Sequence, residues 1–488
     1  MPTRERMSGV DTAWLRMDRP HNLMMIVGVW VLDGPPDARR LQRAIAERFA
    51  CFARLRQYPV LDATGAWWET DARFALHRHL HRIKLPGRAG PAELRRLVAR
   101  LASSPLPPGR PLWEFHLAEN YREGPAVIAR LHHCYADGIA LMRVMLSMTD
   151  ASPAGLRRAP PPHEADGHGP LWQLLEPVSE VVSGAVRLSG TVLDKYFELL
   201  RDPGHLVEYA KMAQRAAADV VELATMPDDS PTRFKGKPGT AKRVAWTGRM
   251  PLVEVKAVGQ ALGCSVNDVL LSCVAGALRG YLLEHGDDPH AVEIRALVPV
   301  NLRAPHDQGL GNWFGLVPLL LPLGIANPLA RLYEVSRRMD ALKGSYLAPI
   351  SLGLLAGVGL MPKPLQQQVL DILANKASAV MTNLPGPQQP LYFAGRRLEQ
   401  LMFWVPQSGD IGMGVSILSY AGGVQFGLIT DAGLVPDPER IAQRFAVELE
   451  RLVTVVMMEP WGARRDPLLV ERELAASSAP AHHAAAHA

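Results

Sequence analysis

The amino-acid sequence predicts an α/β (α+β) protein built in two halves. A chain of 488 residues is too long for one ordinary domain, and a hydrophobic content of 48% is enough for two sizeable cores. Strand and helix patterns alternate from residue 1 to about 150: Met24 to Leu32 and Val127 to His133 have the pattern of strands, and Ala92 to Leu101 that of a helix. Residues 1–150 are therefore assigned to the first domain.

A long crossover is predicted between the halves, over residues 151–242. It opens with a Pro-rich linker, Ala151 to Gly169, and ends with a second one, Pro227 to Lys242. Between them, Leu171 to about Met226 has a helical pattern with one apolar stripe. That stripe is expected to pack across the domain junction or to dock on lipid.

The second domain is assigned to residues 243–470. Ser265 has the pattern of a helix N-cap with Asp268 three residues later. Met413 to Tyr420 and Val424 to Thr430 are predicted to pair as strands, and Pro436 to Met458 to form the closing helix. Residues 471–488 are expected to be a disordered tail, because their last part holds only Ala, Ser, Pro and His.

Charge, cysteines and hydropathy narrow the class of protein. A net charge of +5 and a pI near 9.0 are too modest to predict a nucleic-acid partner, but they suit a phosphate-bearing ligand or an anionic lipid surface. Four scattered cysteines and the lack of a signal-peptide pattern predict a cytoplasmic protein. The longest apolar runs, Trp313 to Leu323 and Ile350 to Met361, are shorter than the ~20 residues of a spanning helix, so peripheral membrane contact is the most that they predict.

The candidate chemistry lies in the segment His132-His133-Cys134-Tyr135-Ala136-Asp137-Gly138, where an apolar strand gives way to a helix. An imidazole can take a proton from a hydroxyl and return it to a leaving group. Because neighbouring strand residues point to opposite faces, only one histidine can be this base. From its spacing, Asp137 orients a ring or locks the loop, and Gly138 gives the turn its backbone freedom.

Spacing alone leaves further roles open for this segment. Two adjacent histidines are more often structural, and a Cys134 nucleophile lacks a basic neighbour beyond the histidines. A zinc site is weaker still, since the chain has neither CxxC nor HExxH. With no GxSxG elbow and no phosphate-binding loop, nicotinamide, flavin and metal cofactors are not expected.

The segment resembles the HHxxxDG signature of an acyltransferase superfamily, and the chain resembles one branch of it, the bacterial wax ester synthase/diacylglycerol acyltransferase family. The resemblance runs from Met7 to about Val456. Its motifs occur in the family order: Met7 to Leu15 as the opening, Pro111-Leu112-Trp113 as PLW, Asn267-Asp268 as ND, Leu297 to Arg303 as VPVxxR, Gly311-Asn312, and Thr382 to Pro387. The chain departs from the family pattern at Asn301, where Ser is more usual, and at Trp313-Phe314. Neither departure is expected to touch the catalytic core, but the aromatic pair is expected to affect which acyl or alcohol chain fits the site.

The resemblance implies two chloramphenicol-acetyltransferase-like domains, each a mixed sheet flanked by helices, with a tunnel at their interface. It implies that His133 is the general base and that Asp137 anchors the loop through an ion pair with Arg303. His133 and Asp137 together form the implied catalytic centre. His132 and Gly138 become structural support. The tunnel candidates are Pro111, Leu112, Trp113, Asn267, Asp268, Gly311 and Asn312.

The implied activity is acyl-CoA-dependent O-acylation, by direct attack and without an acyl-enzyme. The acceptor is diacylglycerol, a long-chain fatty alcohol or both, acyl-CoA is a substrate, and no cofactor is implied. Peripheral contact with the inner face of the plasma membrane or with lipid inclusions is expected. A nucleic-acid partner is not expected. Two alternatives remain: an acyl-carrier-protein donor, or a non-catalytic lipid-surface protein.

Overall fold

A computed structural model describes residues 4–62, 65–155, 219, 225–303, 310–343, 345–361, 363–458 and 465–478. The predicted stripe of the crossover lies almost entirely outside these residues. The strands are β1 (Arg4–Arg6), β2 (Met25–Leu32), β3 (Gln57–Asp62), β4 (Gly65–Thr70), β5 (Leu80–Ile83), β6 (Trp113–Ala118), β7 (Ala126–His132), β8 (Lys242–Trp246), β9 (Met250–Pro251), β10 (Glu293–Asn301), β11 (Phe314–Pro322), β12 (Ala379–Pro385), β13 (Tyr392–Phe393), β14 (Arg396–Trp404), β15 (Met413–Tyr420) and β16 (Gly423–Asp431). The α-helices are α1 (Gly9–Arg16), α2 (Ala38–Ala44), α3 (Pro91–Ala102), α4 (Gly138–Ser147), α5 (Leu252–Leu262), α6 (Val266–Glu284), α7 (Pro328–Lys343), α8 (Leu347–Leu360), α9 (Lys363–Ala374), α10 (Pro438–Met458) and α11 (Pro467–Ser478).

The first large sheet has six strands in the order β13-β14-β2-β7-β6-β5. β2 and β7 are antiparallel, with Met25 opposite His132, so the histidine segment starts where this pair ends. Both strands are apolar almost throughout, because α3 covers one face of the sheet and aromatic side chains such as Trp30 and Trp113 fill the other. The sheet therefore holds the end of β7 in a fixed place.

The second large sheet has the order β11-β10-β12-β15-β16-β8, and β9 also pairs with β16. Parallel pairing of β10 with β12 and of β12 with β15 makes it a mixed sheet. Helices α5, α6, α7 and α10 cover it with a continuous apolar core. A small third sheet, β1-β4-β3, is formed by strands from the first half of the chain.

One prediction on domain bounds is corrected by the strand order. Residues 243–470 are predicted to form one unit, but β13 and β14 belong to the first sheet, where β14 pairs with β2 from Leu398 opposite Leu32 to Trp404 opposite Val27. β14 is a strand of nine residues with an apolar second half, and its pattern does not distinguish the sheet that it joins. The two halves are thus interlocked rather than merely adjacent.

The predicted secondary structure is confirmed at several places, with shifts of one or two residues at the ends. The strands and helix predicted around residues 24–32, 127–133 and 92–101 are β2, β7 and α3, and the predicted hairpin is β15 and β16. The helix predicted from Pro436 is α10, although α11 follows it. The tail prediction is wrong for residues 471–478, which belong to α11; residues 479–488 lie outside the described part.

One helix passes the length and hydropathy test for a membrane span, although the sequence analysis named only shorter apolar runs. Within the described ranges, α6 is long and apolar enough to cross a membrane, and α7 with α8 passes the same test only as a pair bent by 62°. However, 72% of the apolar window of α6 is buried inside the protein. The helix packs against α5, α7 and α10, so its apolar length serves the core of the second domain.

Candidate active site

The histidine segment opens onto a cavity of about 250 Å³ between the two large sheets. One wall is the loop from β7 into α4, and the facing wall consists of β10, β11 and β12. The site thus lies at the junction of the two sheets. Its lining residues are Trp14, His133, Asp137, Gly138, Ile139, Leu297, Pro299, Asn301, Phe314, Leu316, Val380, Thr382, Asn383, Leu384, Pro385, Val405, Pro406 and Ser408.

His133 is the histidine of the pair that lines this cavity. Its backbone N–H donates to the carbonyl of Met24 at 2.7 Å, and its ring stacks on Trp14 with centroids 4.2 Å apart. Only 4% of the residue is exposed. Burial lowers the pKa of His133 to about 4, and the Asp137 carboxylate and the Asn312 side chain oppose this shift only in part. The imidazole is therefore neutral near neutral pH and able to accept a proton.

His132 has a structural role, as the alternation along a strand predicts. Its Nδ1 accepts a hydrogen bond from the N–H of Cys134 at 3.2 Å, and its Nε2 lies 3.8 Å from the Asp18 carboxylate. Its backbone N–H donates to the carbonyl of Leu112. It does not line the cavity.

Asp137 anchors the loop rather than the imidazole. One carboxylate oxygen caps α4 by accepting from the N–H of Ala140 at 2.7 Å. The other accepts from the guanidinium of Arg303 at 2.9 Å and from the N–H of Trp313 at 3.0 Å. The predicted ion pair is thus confirmed, and both of its side chains are buried. The spacing in the sequence left two roles open for Asp137, orienting a histidine ring or locking the loop, and the structure supports the second.

Gly311 and Asn312 tie this loop to the second sheet. The carbonyl of Gly311 accepts from the N–H of Asp137 and from Arg303, and its own N–H donates to the carbonyl of Tyr135. The amide of Asn312 donates to the His133 carbonyl at 3.0 Å and to Asp11 at 2.8 Å. Neither residue lines the cavity, so the tunnel assignment is replaced by a positioning role for both.

Gly138 lines the cavity, but for a different reason from the one predicted. It is the first residue of α4, and it is not among the glycines with positive φ. A Cβ at this position would meet Leu384 at an ordinary 3.7 Å. The lack of a side chain therefore keeps the space beside the start of α4 open, and no special backbone conformation requires it.

The ND motif combines a cap with a contact to the cavity wall. Asp268 and Ser265 form a reciprocal capping box at the start of α6, with bonds of 2.9 and 3.1 Å. Asn267 accepts a hydrogen bond at 3.1 Å from Asn383, which does line the cavity. Asn267 and Asp268 themselves do not line it, so they support the wall from behind.

The PLW motif lies in the core of the first domain, which corrects its assignment to the tunnel. Trp113 is fully buried, stacks on His79 and donates from its indole N–H to the Leu55 carbonyl at 2.8 Å. The backbone of Leu112 bonds to Tyr135 and to His132. Pro111, Leu112 and Trp113 hold the end of β7 and do not line the cavity.

Cys134 is excluded as a nucleophile by its surroundings. The side chain is completely buried, and burial raises the pKa of this thiol well above its usual value. A buried thiol without the thiolate form is unreactive.

Several cavity residues are not predicted as site residues from the sequence. Trp14 and the segment Thr382 to Pro385 lie in recognised motifs, but their residue types carry no signal of a cavity. The departures Asn301 and Phe314 are predicted to stay clear of the catalytic core. Both line the cavity instead, and the Phe314 ring centroid lies 5.7 Å from that of His133.

A second, apolar cavity of about 60 Å³ lies beside the first. The two share Gly138, Leu384 and Val405 in their walls. Its other lining residues are almost all apolar and come from α4 and the first sheet, among them Leu141, Met142, Met145, Leu146, Trp30, Phe403 and Leu401.

The site is a neutral, buried histidine at the meeting point of two mixed sheets, and a carboxylate–guanidinium pair locks its loop. The wax ester synthase/diacylglycerol acyltransferase catalytic-domain model matches residues 7–270, and the C-terminal-domain model of the same family matches residues 310–453. The chain belongs to the wax ester synthase/diacylglycerol acyltransferase family, and it is an acyltransferase.

Curated relatives match over almost the whole chain. A probable diacylglycerol O-acyltransferase of Mycobacterium tuberculosis is 28% identical over 480 residues, which cover 94% of this chain and 98% of that protein. A second, putative diacylglycerol O-acyltransferase of the same organism is 27% identical and covers 94% of this chain and 92% of its own length.

Solved structures support the fold. The wax ester synthase/diacylglycerol acyltransferase from Marinobacter aquaeolei VT8 aligns with a TM-score of 0.64 and 22% identity, covering 93% of this chain and all of that one. The first condensation domain of the calcium-dependent antibiotic synthetase aligns with a TM-score of 0.56 and 17% identity, covering 94% and 97%. The two-domain fold predicted from the sequence is confirmed.

Proposed function

We propose that the protein transfers the acyl group of a long-chain acyl-CoA to the free hydroxyl of diacylglycerol, giving triacylglycerol and free CoA. A long-chain fatty alcohol is the second acceptor to be tested, and its product is a wax ester. The observation that carries the proposal is the neutral imidazole of His133 in the wall of a cavity at the junction of the two sheets.

His133 acts as the general base in this reaction. It takes the proton of the acceptor hydroxyl while the oxygen attacks the thioester carbonyl, so a C–O bond forms and a tetrahedral oxyanion results. The C–S bond then breaks, and the CoA sulfur leaves with the proton that His133 had taken. No group of the protein becomes acylated, and no cofactor takes part.

The start of α4 supports the negative charge of the intermediate. Gly138 and Ile139, its first two residues, line the cavity, and a helix N-terminus carries a partial positive charge. Asp137 adds a negative charge nearby, but Arg303 pairs with it. The local field therefore does not oppose an oxyanion as an unpaired carboxylate would.

The second cavity suits the hydrocarbon chain of the acyl donor or acceptor. Its walls are almost entirely apolar, and it lies directly beside the catalytic cavity. Met142 and Met145 contribute flexible side chains to it, which adapt to chains of differing shape. A thioester carbonyl next to His133 would thus direct the start of its chain between α4 and the first sheet, where a cavity of about 60 Å³ takes its first few carbons.

The test is an assay of the purified full-length protein with palmitoyl-CoA and, in parallel, dioleoylglycerol or hexadecanol. We expect His133→Ala to lower kcat by ~10² to 10⁴, since a positioned general base supplies about this factor. His132→Ala is the neighbouring control and should lose far less per folded molecule, as judged by circular dichroism.

Equal losses in the two variants would contradict the assignment of His133. Transfer from acyl-carrier protein but not from acyl-CoA would change the donor. If the wild-type protein acylated neither lipid with either donor, the non-catalytic alternative would replace the proposal.

A further inference from the structure

A third cavity, of about 410 Å³, lies at the β5 edge of the first sheet, away from the catalytic cavity. Its walls include the apolar side chains of Leu41 and Val127, and the exposed polar residues Gln42, His77 and Arg82 mark its outer end. We call it the distal cavity. The apolar cavity of about 60 Å³ beside the catalytic one is called the proximal cavity.

The proximal and distal cavities lie on the same face of the first sheet. Phe115 of β6 pairs with Ala129 of β7 on one side and with Leu80 of β5 on the other. The side chains of residues that pair directly share one face of a sheet. Ala129 lines the proximal cavity, and Leu80 lines the distal one. The row from Ala129 to Leu80 therefore leads from one cavity to the other.

Two aromatic rings form the partition between these cavities. Among the described residues, Phe115 alone lines both. The ring of Phe49 meets it edge to face, with ring centroids 5.1 Å apart and 84° between the ring planes. Phe49 ends the π-helical turn Ile45–Phe49 and lines the proximal cavity, whereas Ile45 lines the distal one. The same turn thus covers both cavities, and the Phe115 ring stands between them.

The combined path is long enough for a whole acyl chain. The proximal cavity begins at β14 and the distal cavity ends at β5, which are four strand spacings apart in the sheet. At ~4.8 Å per spacing, the path is about 19 Å long. One acyl chain of a membrane lipid spans half of a hydrocarbon core of ~30 Å, which is about 15 Å. The proximal cavity alone takes only the first few carbons.

The size of the proximal cavity favours the donor chain as the occupant. Acyl-CoA carries one hydrocarbon chain at its thioester, whereas diacylglycerol brings two chains beside its hydroxyl. A space of about 60 Å³ does not admit two chains side by side. The proximal cavity shares Gly138, Leu384 and Val405 with the catalytic cavity, so a single chain enters it directly from the reacting carbonyl.

We propose that the acyl chain of the donor passes Phe115 and fills the distal cavity, so that Phe115 and the space beyond it determine which acyl chain lengths the protein prefers. The inference rests on the proposed function for its ligand, a long-chain acyl-CoA. A long chain moves the Phe115 ring away from Phe49, and its far carbons are buried against Leu117 and Val127. A hexanoyl chain ends before the partition.

The test is equilibrium binding of palmitoyl-CoA and hexanoyl-CoA to the full-length protein, measured by isothermal titration calorimetry without an acceptor. Leu117 lines the distal cavity but neither of the other two, and Leu117→Trp fills part of that space. The variant should bind palmitoyl-CoA at least about tenfold more weakly, because each methylene left in water lowers affinity about fourfold. Hexanoyl-CoA should bind within about twofold of the wild-type affinity.

The matched control is Ile83→Trp. Ile83 is half-buried like Leu117, but it lines none of the three cavities. The control should leave the ratio of the two affinities unchanged.

A second variant, Phe115→Leu, tests the partition without adding volume. The chain no longer has to break the contact between Phe115 and Phe49, so affinity for palmitoyl-CoA should rise roughly two- to tenfold relative to hexanoyl-CoA. Thermal unfolding of each variant verifies that it is folded.

An unchanged ratio of affinities in both Leu117→Trp and Phe115→Leu would overturn the inference, and so would an equal change in Ile83→Trp. If Leu117→Trp raised only the KM for dioleoylglycerol, the distal cavity would hold the acceptor chain, and the inference would also fail. Binding needs no transfer. A wild-type protein that showed the expected length dependence but acylated neither lipid would refute the proposed function alone.

Discussion

Burial sets the protonation state of the imidazole in the cavity. An exposed histidine has a pKa of about 6.5 and is half protonated just below neutral pH. His133 is enclosed by Trp14, Phe314 and its own loop, and the charged form loses its hydration there. The pKa of His133 is accordingly lowered to about 4. The residue is therefore a weaker base than a free histidine, but it is present almost entirely in its neutral form.

This shift predicts an unusual pH dependence. The proposed reaction requires neutral His133, so activity is expected to fall as the pH drops through the pKa of this residue in the free enzyme. kcat/KM should stay level from neutral pH down to about 5 and then fall about tenfold per pH unit below about 4. The measurement is initial-rate kinetics across pH with a soluble acyl-CoA, with circular dichroism at each pH to exclude unfolding. An acid limb centred near 6.5 would show that the imidazole is hydrated in solution.

At the scale of elements, the Asp137–Arg303 pair joins parts of the chain that are far apart in sequence. Asp137 caps α4, and Arg303 follows closely after β10. The same carboxylate also holds the N–H of Trp313, just before β11. Three elements are thus fixed around one carboxylate, and the cavity lies between them.

Removing the arginine should therefore cost stability. Arg303→Met leaves a buried carboxylate without its counter-charge, and we expect a loss of about 3–5 kcal/mol in the free energy of unfolding. The double variant Asp137→Asn/Arg303→Met should recover part of this loss, since the unpaired charge is gone. Urea unfolding of both variants and the wild type measures these differences.

The control for the Arg303 variants is the exposed ion pair Lys343–Asp340, whose side chains are 59% and 62% exposed. Lys343→Met should change the unfolding free energy by less than about 1 kcal/mol. If Arg303→Met were as mild as this control, the buried pair would not be what locks the loop.

The elements themselves were largely predictable from the sequence, whereas their partners were not. β2, β7, α3 and α10 follow from hydrophobic periodicity, which depends only on neighbouring residues. The pairing of β14 with β2 joins residues that are distant in the chain, such as Leu398 and Leu32, and an apolar strand fits either sheet. Local pattern carries no information on that choice.

At the scale of the whole molecule, β13 and β14 from the C-terminal half complete the first sheet and so join the two halves. β14 lies at one side of β2 in the first sheet, so the N-terminal half alone would expose the apolar edge of β2. An exposed apolar edge strand promotes association. The two halves are therefore parts of one folding unit.

We accordingly expect a fragment of residues 1–155 to aggregate when it is produced alone. Coexpression with residues 226–488, which supply β13 and β14, should give a soluble complex. Gel filtration and thermal unfolding measure the outcome, with the full-length protein as the reference. A monomeric 1–155 fragment with a cooperative unfolding transition would contradict the interlocked arrangement.

The sequence by itself determined the family and the two-domain fold, because an ordered set of short motifs specifies them, and the same motifs predict His133 and Asp137 as the catalytic pair. Only the tertiary structure decided which residues surround the base. Trp14, Phe314 and Asn383 come from separate parts of the chain to the cavity, whereas Trp113 and Asn312 of the recognised motifs lie behind it. The physical reason is that a motif records which residues a fold requires, but a cavity wall is defined by packing between distant elements.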